Sequence, residues 1–343
     1  MKSISFDKNK SIQLKGIAIL FMFWIHLYCH DEKLKDGVYY LSVFMGDNIY
    51  PIKFVLKLCS ICVPLFIFMA GYAYGVNIGK KSASIRAIIN KLYFKYWFVF
   101  LVFIPICIMV GEINFRFFEC LKNLSGFYYT YCGEWWFFSL YIELEIIAYL
   151  INKLTGWKQE TKLIIGISFF LMCAGYGLKV VIPSVTTGNT LINLLYTFLI
   201  KQPIFISGLI CARENYFKKL FPKAGKLWPL YLTGWVFEFT NIPESLYLPL
   251  IIPGIVFAFC CLKIEGKTGR ILSFLGRQST YMWLTHSLLI YKLMQQIIYG
   301  LHFSILNYII LLLVDIPIAV TLNWVEKWIK NRCSNNKNLI SNT

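Results

Sequence analysis

The chain has 343 residues, of which 58% are hydrophobic and 15% charged, and its formal net charge is +17. This composition is too apolar for an ordinary soluble domain, and spans of roughly 20 residues each leave no room for a second, water-soluble one. Basic residues between apolar segments explain the positive charge without a nucleic-acid partner. We therefore predict one membrane domain over residues 1–343, with the lipid bilayer as its partner.

Ten apolar windows predict an all-α polytopic bundle of about ten transmembrane helices. In chain order the predicted spans lie near residues 12–29, 54–78, 93–111, 135–151, 163–182, 191–211, 227–241, 246–262, 279–298 and 304–322. The seventh window is short and carries Glu238, so nine and eleven spans are the alternatives.

Lysine and arginine are unevenly distributed between the loops that these spans define. If the N-terminus is cytoplasmic and the loops alternate, 24 of these residues lie inside and 7 lie outside. Cytoplasmic loops of membrane proteins carry such an excess. We therefore predict that both termini are cytoplasmic, and the external loops 30–53 and 112–134 are candidate lids or substrate contacts.

The eleven cysteines lie mostly inside apolar segments, which argues against a disulfide scaffold. Cys120 and Cys132 are the two that can pair outside the membrane. Cys59 and Cys62 have CxxC spacing, but no second pair accompanies them, so packing explains them better than metal or redox function. No metal site and no permanently bound cofactor is predicted.

The first predicted helix contains two ionisable residues, Lys15 and His26. Their spacing corresponds to a net rotation of roughly 20° and a rise of about 16 Å, so both side chains share one helix face. Lys15 at the cytoplasmic end suits a phosphate, and His26 suits a hydroxyl proton, which together fit a long acyl-coenzyme A donor. In the alternative interpretation, Lys15 snorkels to the headgroups and His26 bonds a backbone carbonyl.

Later segments carry further motifs in a consistent order. The first helix reads KGIAILFMFWIH at 15–26, and the later segments read VPLFIFMAGY at 63–72, EWWFFSLYIELE at 134–145, LGRQSTYMWLTH at 275–286 and VEK at 325–327. Together they resemble the acyltransferase-3 family of membrane acyltransferases over most of the chain. Lys15 and Lys91 stand where arginine is commoner in that family, and Ala70 stands where serine is frequent.

The resemblance implies transfer of an acyl group, usually acetyl, from cytoplasmic acyl-CoA to a hydroxyl of a glycan or lipid-linked sugar. His26 is then the principal catalytic residue, either as a base for the acceptor hydroxyl or as an acyl carrier. His286 is a second acid/base or an orienting group. Arg86 and Lys91 resemble a basic cluster that binds the donor together with Lys15, although a cytoplasmic loop is expected to be basic in any case.

Five further residues complete the set of candidates. Glu143 lies within a predicted span, where a carboxylate needs a partner; it is the best candidate for pairing in the core and is counted with the catalytic residues. Glu134 precedes Trp135 and Trp136 at a predicted helix N-terminus, where a carboxylate is favoured. These three are candidate contacts for the acceptor sugar, and an interfacial aromatic belt is the alternative for the tryptophans. Ser279 is expected to cap the ninth helix.

Two other classes of function are compatible with a polytopic chain. A transporter or glycan flippase often has two related halves with broken helices, and the sequence shows no such symmetry. A catalytically inactive scaffold disagrees with the presence of the lysine, the histidine and the later motifs in one chain. Abundant lysine, isoleucine, asparagine and tyrosine are typical of AT-rich bacterial genomes, so we expect a multi-pass protein of the bacterial plasma membrane.

Overall fold

The structure is a computed structural model that describes residues 6–41, 50–78, 85–155, 160–186, 191–220 and 242–340. Within these ranges the chain is helical and contains no β-strand, and one isolated bridge joins Leu41 to Phe303. The predicted all-α class is therefore confirmed.

The helices of the described ranges, in chain order, are α1 (Lys8–Tyr28), α2 (Tyr50–Cys59), α3 (Cys62–Asn77), α4 (Ile85–Met109), α5 (Phe117–Leu124), α6 (Trp136–Thr155), α7 (Thr161–Val181), α8 (Leu191–Arg213), α9 (Tyr216–Leu220), α10 (Glu244–Cys261), α11 (Gly266–Leu288), α12 (Gln295–Ile298) and α13 (Ser304–Ile340). Short 3₁₀ turns cover Asp31–Lys33, Gly133–Trp135 and Pro183–Thr186, and a π-helical turn covers Leu289–Leu293.

Seven helical segments of the described chain are long and apolar enough to cross a bilayer. They are Lys8–Tyr28, Ile52–Asn77, Leu92–Met109, Thr161–Val181, Leu191–Arg213, Glu244–Cys261 and Ser304–Arg332. Each coincides with a predicted span. The predicted spans 135–151 and 279–298 correspond to α6 and to the end of α11 with the turns that follow, and the predicted span 227–241 lies outside the described residues.

Local chemistry explains two helix boundaries that the apolar windows missed. Helix α1 begins at Lys8 because the Asp7 side chain caps it, accepting a hydrogen bond from the Lys10 backbone N–H at 2.8 Å. The second span is interrupted between α2 and α3. Pro64 lies in the first turn of α3, and a helix continuing from α2 would bring the Pro64 ring against the carbonyl of Ser60.

The start of α11 corrects the expectation for Ser279. This residue lies in the middle of the helix, which begins at Gly266, and its hydroxyl donates to the Gly276 carbonyl at 3.0 Å. Ser279 therefore does not cap a helix. The apolar window began too late because the first turns of α11 are rich in charged and small residues.

Helices α1 and α11 run side by side in the same direction and lie unusually close together. A Cβ atom on Gly16 would lie 2.3 Å from the Leu272 carbonyl oxygen, and one on Gly276 would lie 1.8 Å from the Ile12 carbonyl oxygen. Small residues permit such an approach between helix backbones in membranes. This contact fixes α1 against α11 and thereby positions the side chains that both helices carry further along.

Replacing Gly276 with alanine is expected to destabilise the fold. The new Cβ would meet a backbone atom that cannot rotate away, so the two helices must separate, at a cost of about 1–3 kcal/mol. The measurement is the thermal unfolding temperature of the purified protein in detergent, which should fall. Gly177→Ala on α7 is the matched control because nothing lies within 4 Å of its Cβ position. Equal behaviour of the two variants would contradict the close helix contact.

Candidate active site

Two histidines meet where the C-terminal end of α1 lies beside α11. The ring centroids of His26 and His286 are 4.9 Å apart, and the Phe23 ring stacks on His286 at 5.4 Å. The Nδ1 atom of His26 is buried and has no hydrogen-bond partner among the described residues. A buried ring nitrogen without a partner is uncommon in folded proteins and marks this imidazole as a candidate for contact with a ligand.

The surroundings of His286 determine which of its ring nitrogens carries the proton. Its Nδ1 lies 3.1 Å from the Met282 carbonyl oxygen and 2.7 Å from the Trp283 carbonyl oxygen. Carbonyl oxygens only accept hydrogen bonds, so Nδ1 is the protonated nitrogen. Nε2 is then the acceptor, and the Ser287 hydroxyl at 3.1 Å donates to it. His286 is fully buried and held in one orientation by its own helix.

A carboxylate from a distant part of the chain completes this region. Glu134, in the 3₁₀ turn before α6, pairs with Lys33 at 2.5 Å. Its side chain is 7% exposed, and the Cys132 thiol lies 3.6 Å from its second oxygen. Glu134 interacts electrostatically with both histidines. Burial alone would raise the pKa of this carboxyl, but His26 and the Lys33 ammonium outweigh burial and hold it at about 2.

Trp135 fixes the turn that carries Glu134. Its indole N–H donates to the Leu284 carbonyl at 3.1 Å, which ties the start of α6 to α11. Its ring packs against Tyr96 at 5.1 Å and Phe100 at 6.1 Å and is 1% exposed. The turn is therefore anchored from inside the protein, directly beside the glutamate.

The segment that follows α1 is also held in place. Gln295 of α12 donates to the Lys33 carbonyl at 3.1 Å and accepts from the Lys35 N–H at 2.9 Å. The Tyr291 hydroxyl donates to the His26 carbonyl, and the Lys33 ammonium lies 4.8 Å from the centre of the Tyr291 ring. These contacts satisfy a carbonyl at the end of α1 and fix the backbone that presents Lys33 to Glu134.

A cavity of about 150 Å³ lies along the other half of α1. Its lining includes Lys15, and it is otherwise formed by residues of α3, α4, α6 and α11, among them Phe137, Tyr141 and Trp283. The Phe137 and Trp283 rings meet edge to face at 5.3 Å, and Trp283 precedes His286 by one helical turn. The cavity therefore lies between the cationic residue of α1 and the level of the two histidines.

A family model described as an acyltransferase domain matches residues 9–324, nearly the whole chain. The chain belongs to the acyltransferase-3 family. It is therefore an acyltransferase, and its apolar helices agree with a multi-pass membrane protein of that family. No curated protein and no solved structure matches the chain.

The structure brings three of the candidates for an acyltransferase-3 site together. His26, His286 and Glu134 surround one point at the end of α1, although Glu134 is separated from His26 by more than a hundred residues of sequence. Lys15 lies on the same helix as His26, as the periodicity predicted. The catalytic and binding roles of these residues remain predictions.

The remaining candidates lie away from the two histidines or have surroundings other than those predicted. Trp135 is a core residue, so its ring offers no free face for stacking on a sugar; Trp136 beside it is partly exposed. Glu143 lies on α6, where one of its carboxylate oxygens has no hydrogen-bond partner, and the described residues include no ion pair for it. Arg86 and Lys91 lie within α4, and their side chains are outside the described residues.

Two neighbours of the candidate site were not predicted from the sequence. Lys33 gave no signal because its partner Glu134 is brought to it by the fold alone. His30 stacks on His26 with 5.9 Å between ring centroids. Its spacing of four residues from His26 was the available signal, because residues four apart share a helix face.

The basic cluster before the third span contains another such case. Lys95, one helical turn beyond Lys91 on α4, pairs with Glu326 of α13 at 2.7 Å. The Tyr281 hydroxyl donates to the same carboxylate at 2.9 Å, and its ring lies 4.0 Å from the Lys95 ammonium. Glu326 thus joins α4, α11 and α13, and it belongs to the VEK motif near the end of the chain.

Proposed function

We propose that the protein transfers an acyl group, acetyl in the first instance, from cytoplasmic acyl-CoA to a hydroxyl of a membrane-associated or extracytoplasmic glycan. The observation that carries this proposal is the layout of α1. Lys15 and His26 lie on one continuous helix about 16 Å apart, with the cavity beginning at Lys15. Lys15 would meet a phosphate of the donor, and the thioester at the far end of the extended arm would reach the level of His26.

His26 offers two chemical routes at that point. In direct transfer, its ring nitrogen accepts the proton of the acceptor hydroxyl while that oxygen attacks the thioester carbonyl, and coenzyme A leaves as the thiolate. In stepwise transfer, the ring nitrogen attacks the thioester itself, coenzyme A leaves, and the acceptor hydroxyl then takes the acyl group from histidine. The unpartnered Nδ1 of His26 supports both routes equally.

Glu134 and His286 assist the same chemistry through their effects on His26 and its surroundings. Positive charge develops on His26 in either route, and the buried carboxylate of Glu134 is placed to stabilise that charge. His286 is a positioning residue in this scheme because both of its ring nitrogens already have partners on α11. Lys33 keeps Glu134 ionised while remaining partly exposed itself.

The proposed arrangement in the membrane has ten spans and both termini in the cytoplasm. It adds α6, the end of α11 and the segment 227–241 to the seven apolar segments already described. The excess of basic residues in alternate loops supports this orientation. It places Lys15 at the cytoplasmic surface and His26 toward the opposite side, in the plasma membrane of a bacterium.

The test supplies labelled acetyl-CoA to one side of the membrane at a time. Inverted vesicles expose the cytoplasmic face, and right-side-out vesicles expose the other face. We expect label in the glycan fraction of inverted vesicles that contain the protein and none in right-side-out vesicles or in membranes without the protein. Labelling from the outer face would contradict the cytoplasmic donor. If neither kind of vesicle is labelled from acetyl-CoA but a longer acyl-CoA gives label, acetyl is not the group transferred. If no acyl-CoA gives label, the proposed class of donor is wrong.

A further inference from the structure

The end of α1 carries a second chemical pattern, which combines His26 with two residues that the transfer reaction does not use, Cys29 and His30. His26, Cys29 and His30 each offer one ligand atom, and these atoms all lie within 4.8 Å of one another. His26 lies in the last turn of α1, Cys29 follows its last residue and His30 leads into the next turn, so the end of the helix brings the three side chains together. Imidazole nitrogen and thiolate sulfur are the ligands that Zn²⁺ prefers, and three protein ligands leave a fourth tetrahedral position for water.

Two of the side chains are already disposed as metal ligands. The Nδ1 atom of His30 lies 2.9 Å from a carboxylate oxygen of Glu32, which leaves Nε2 of His30 as the nitrogen available to an ion. A carboxylate that holds the far nitrogen of a histidine is the usual companion of a metal-binding imidazole. On the other side of the cluster, Nδ1 of His26 is buried without a partner among the described residues.

Charge and access also agree with a cation at this point. The Lys33 ammonium interacts electrostatically with His26 and Cys29, but it is paired with Glu134 at 2.5 Å and so contributes little net charge. The thiol of Cys29 loses its proton to the solvent when it binds Zn²⁺, and together with the Glu32 carboxylate it balances the charge of the ion. Cys29 is exposed and His30 is 33% exposed, so an ion can enter from water.

We propose that His26, Cys29 and His30 form a reversible zinc site that inhibits the acyltransferase. Zn²⁺ bound to His26 occupies a ring nitrogen of the residue that must accept a proton or an acyl group, so transfer stops while the ion is bound. The inhibitory part of this inference rests on the proposed function of His26, whereas the zinc site itself does not. In the proposed orientation the ion comes from the extracytoplasmic side.

The test measures zinc binding and acyl transfer separately. Native protein is purified in detergent through a tag without histidine, and Zn²⁺ is titrated against a chromogenic chelator. We expect one tightly bound ion, and with Co²⁺ in place of Zn²⁺ a thiolate-to-metal absorption band. Cys29→Ser and His30→Asn should each weaken zinc affinity at least about tenfold. Removing a residue that only orients a metal ligand already costs about that much, and these two residues are ligands themselves. Cys29→Ser should also abolish the cobalt band.

Cys173→Ser is the matched control because Cys173 is an exposed free cysteine on α7, far along the chain from this cluster. It should bind zinc and cobalt as the native protein does. Zinc affinity that is unchanged in Cys29→Ser, or lowered equally in Cys173→Ser, would overturn the site. A monodisperse elution profile and an unchanged thermal unfolding temperature show that each variant is folded.

Acyl transfer then tests the inhibition. Zinc should stop transfer by the native protein and by Cys173→Ser, a chelator should restore it, and Cys29→Ser should continue to transfer at the same zinc concentration. Equal inhibition of native protein and Cys29→Ser would overturn the inhibitory role. If zinc binds as expected but no acyl-CoA is a donor, the proposed function fails while the site stands; if transfer proceeds but no zinc binds, the site fails while the proposed function stands.

Discussion

Replacing His26 with alanine is expected to reduce acyl transfer by about 10²–10⁴-fold, because a positioned acid or base contributes that much to a proton transfer. If His26 instead carries the acyl group, transfer should fall to the background of membranes without the protein. The measurement is the initial rate of label transfer from acetyl-CoA to glycan at matched amounts of folded protein.

The control for this substitution is another histidine that the site does not use. His302 stacks on Tyr39 with 4.1 Å between ring centroids, and its backbone φ is 60°. His302→Asn suits this position because asparagine tolerates positive φ better than alanine does. We expect native transfer rates from His302→Asn, and transfer by His26→Ala at the native rate would show that His26 is structural.

A rapid-quench experiment separates the two routes. When labelled acetyl-CoA is mixed with native protein in the absence of acceptor, label should become attached to the protein only if the acyl group passes through His26. His26→Ala must then remain unlabelled. Label on both proteins would place an acyl carrier elsewhere in the chain and would contradict the stepwise route through His26.

The positions of Lys15, His26 and His286 could be predicted because the information is local. The periodicity of one helix fixes Lys15 relative to His26, and the structure confirms that both lie on α1. The motif that contains His286 lies on α11, the helix that packs against α1 through Gly16 and Gly276. A sequence motif locates such residues without knowledge of the packing, but the contact between the two rings depends on the close approach of the helices.

Roles that depend on packing could not be predicted in the same way. A pair of tryptophans before an apolar segment is equally compatible with an interfacial aromatic belt, a sugar-binding surface and packing in the core. Trp135 is a core residue because its ring packs against Tyr96 and its indole N–H bonds the Leu284 carbonyl, and both partners lie on other helices. Likewise, Glu134 was expected at a helix N-terminus, and its burial against Lys33 depends on how the segment 30–35 is held against it.

Breaking the buried charge pair of Lys33 and Glu134 is expected to have the second large effect, a loss of stability. Lys33→Met leaves a carboxylate that is 7% exposed without its ammonium partner, whereas Glu134→Gln leaves a lysine that is 35% exposed and can turn toward water. Breaking a buried pair by removing one partner costs about 3–5 kcal/mol, and partial exposure of Lys33 brings the expected cost toward the lower end. Lys33→Met should therefore be the less stable variant, as measured by thermal unfolding.

Activity tests the carboxylate directly. Glu134→Gln removes the negative charge that acts on His26, and we expect at least about a tenfold loss of kcat, equivalent to about 1.4 kcal/mol. Lys35→Met is the matched control, because Lys35 pairs with Glu112 with both side chains more exposed than Glu134. An exposed pair contributes about 0–1 kcal/mol, so both stability and transfer should change little. Equal effects of Lys33→Met and Lys35→Met would contradict the special role of the buried pair.

The pH dependence of stability gives an independent check on the pair. The pKa of Glu134 is held at about 2 in the folded protein, below its ordinary value of 4.5, so the pair stabilises the fold fully above about pH 4.5. This stabilisation is lost as the pH falls toward 2. In Lys33→Met the buried carboxyl has lost its ammonium partner, so its pKa rises. Protonation in acid then removes an unpaired buried charge and stabilises that variant instead of destabilising it. The difference in unfolding temperature between native protein and Lys33→Met should therefore be largest near neutral pH and should narrow in acid, and a difference independent of pH would mean that Lys33 contributes packing and not charge.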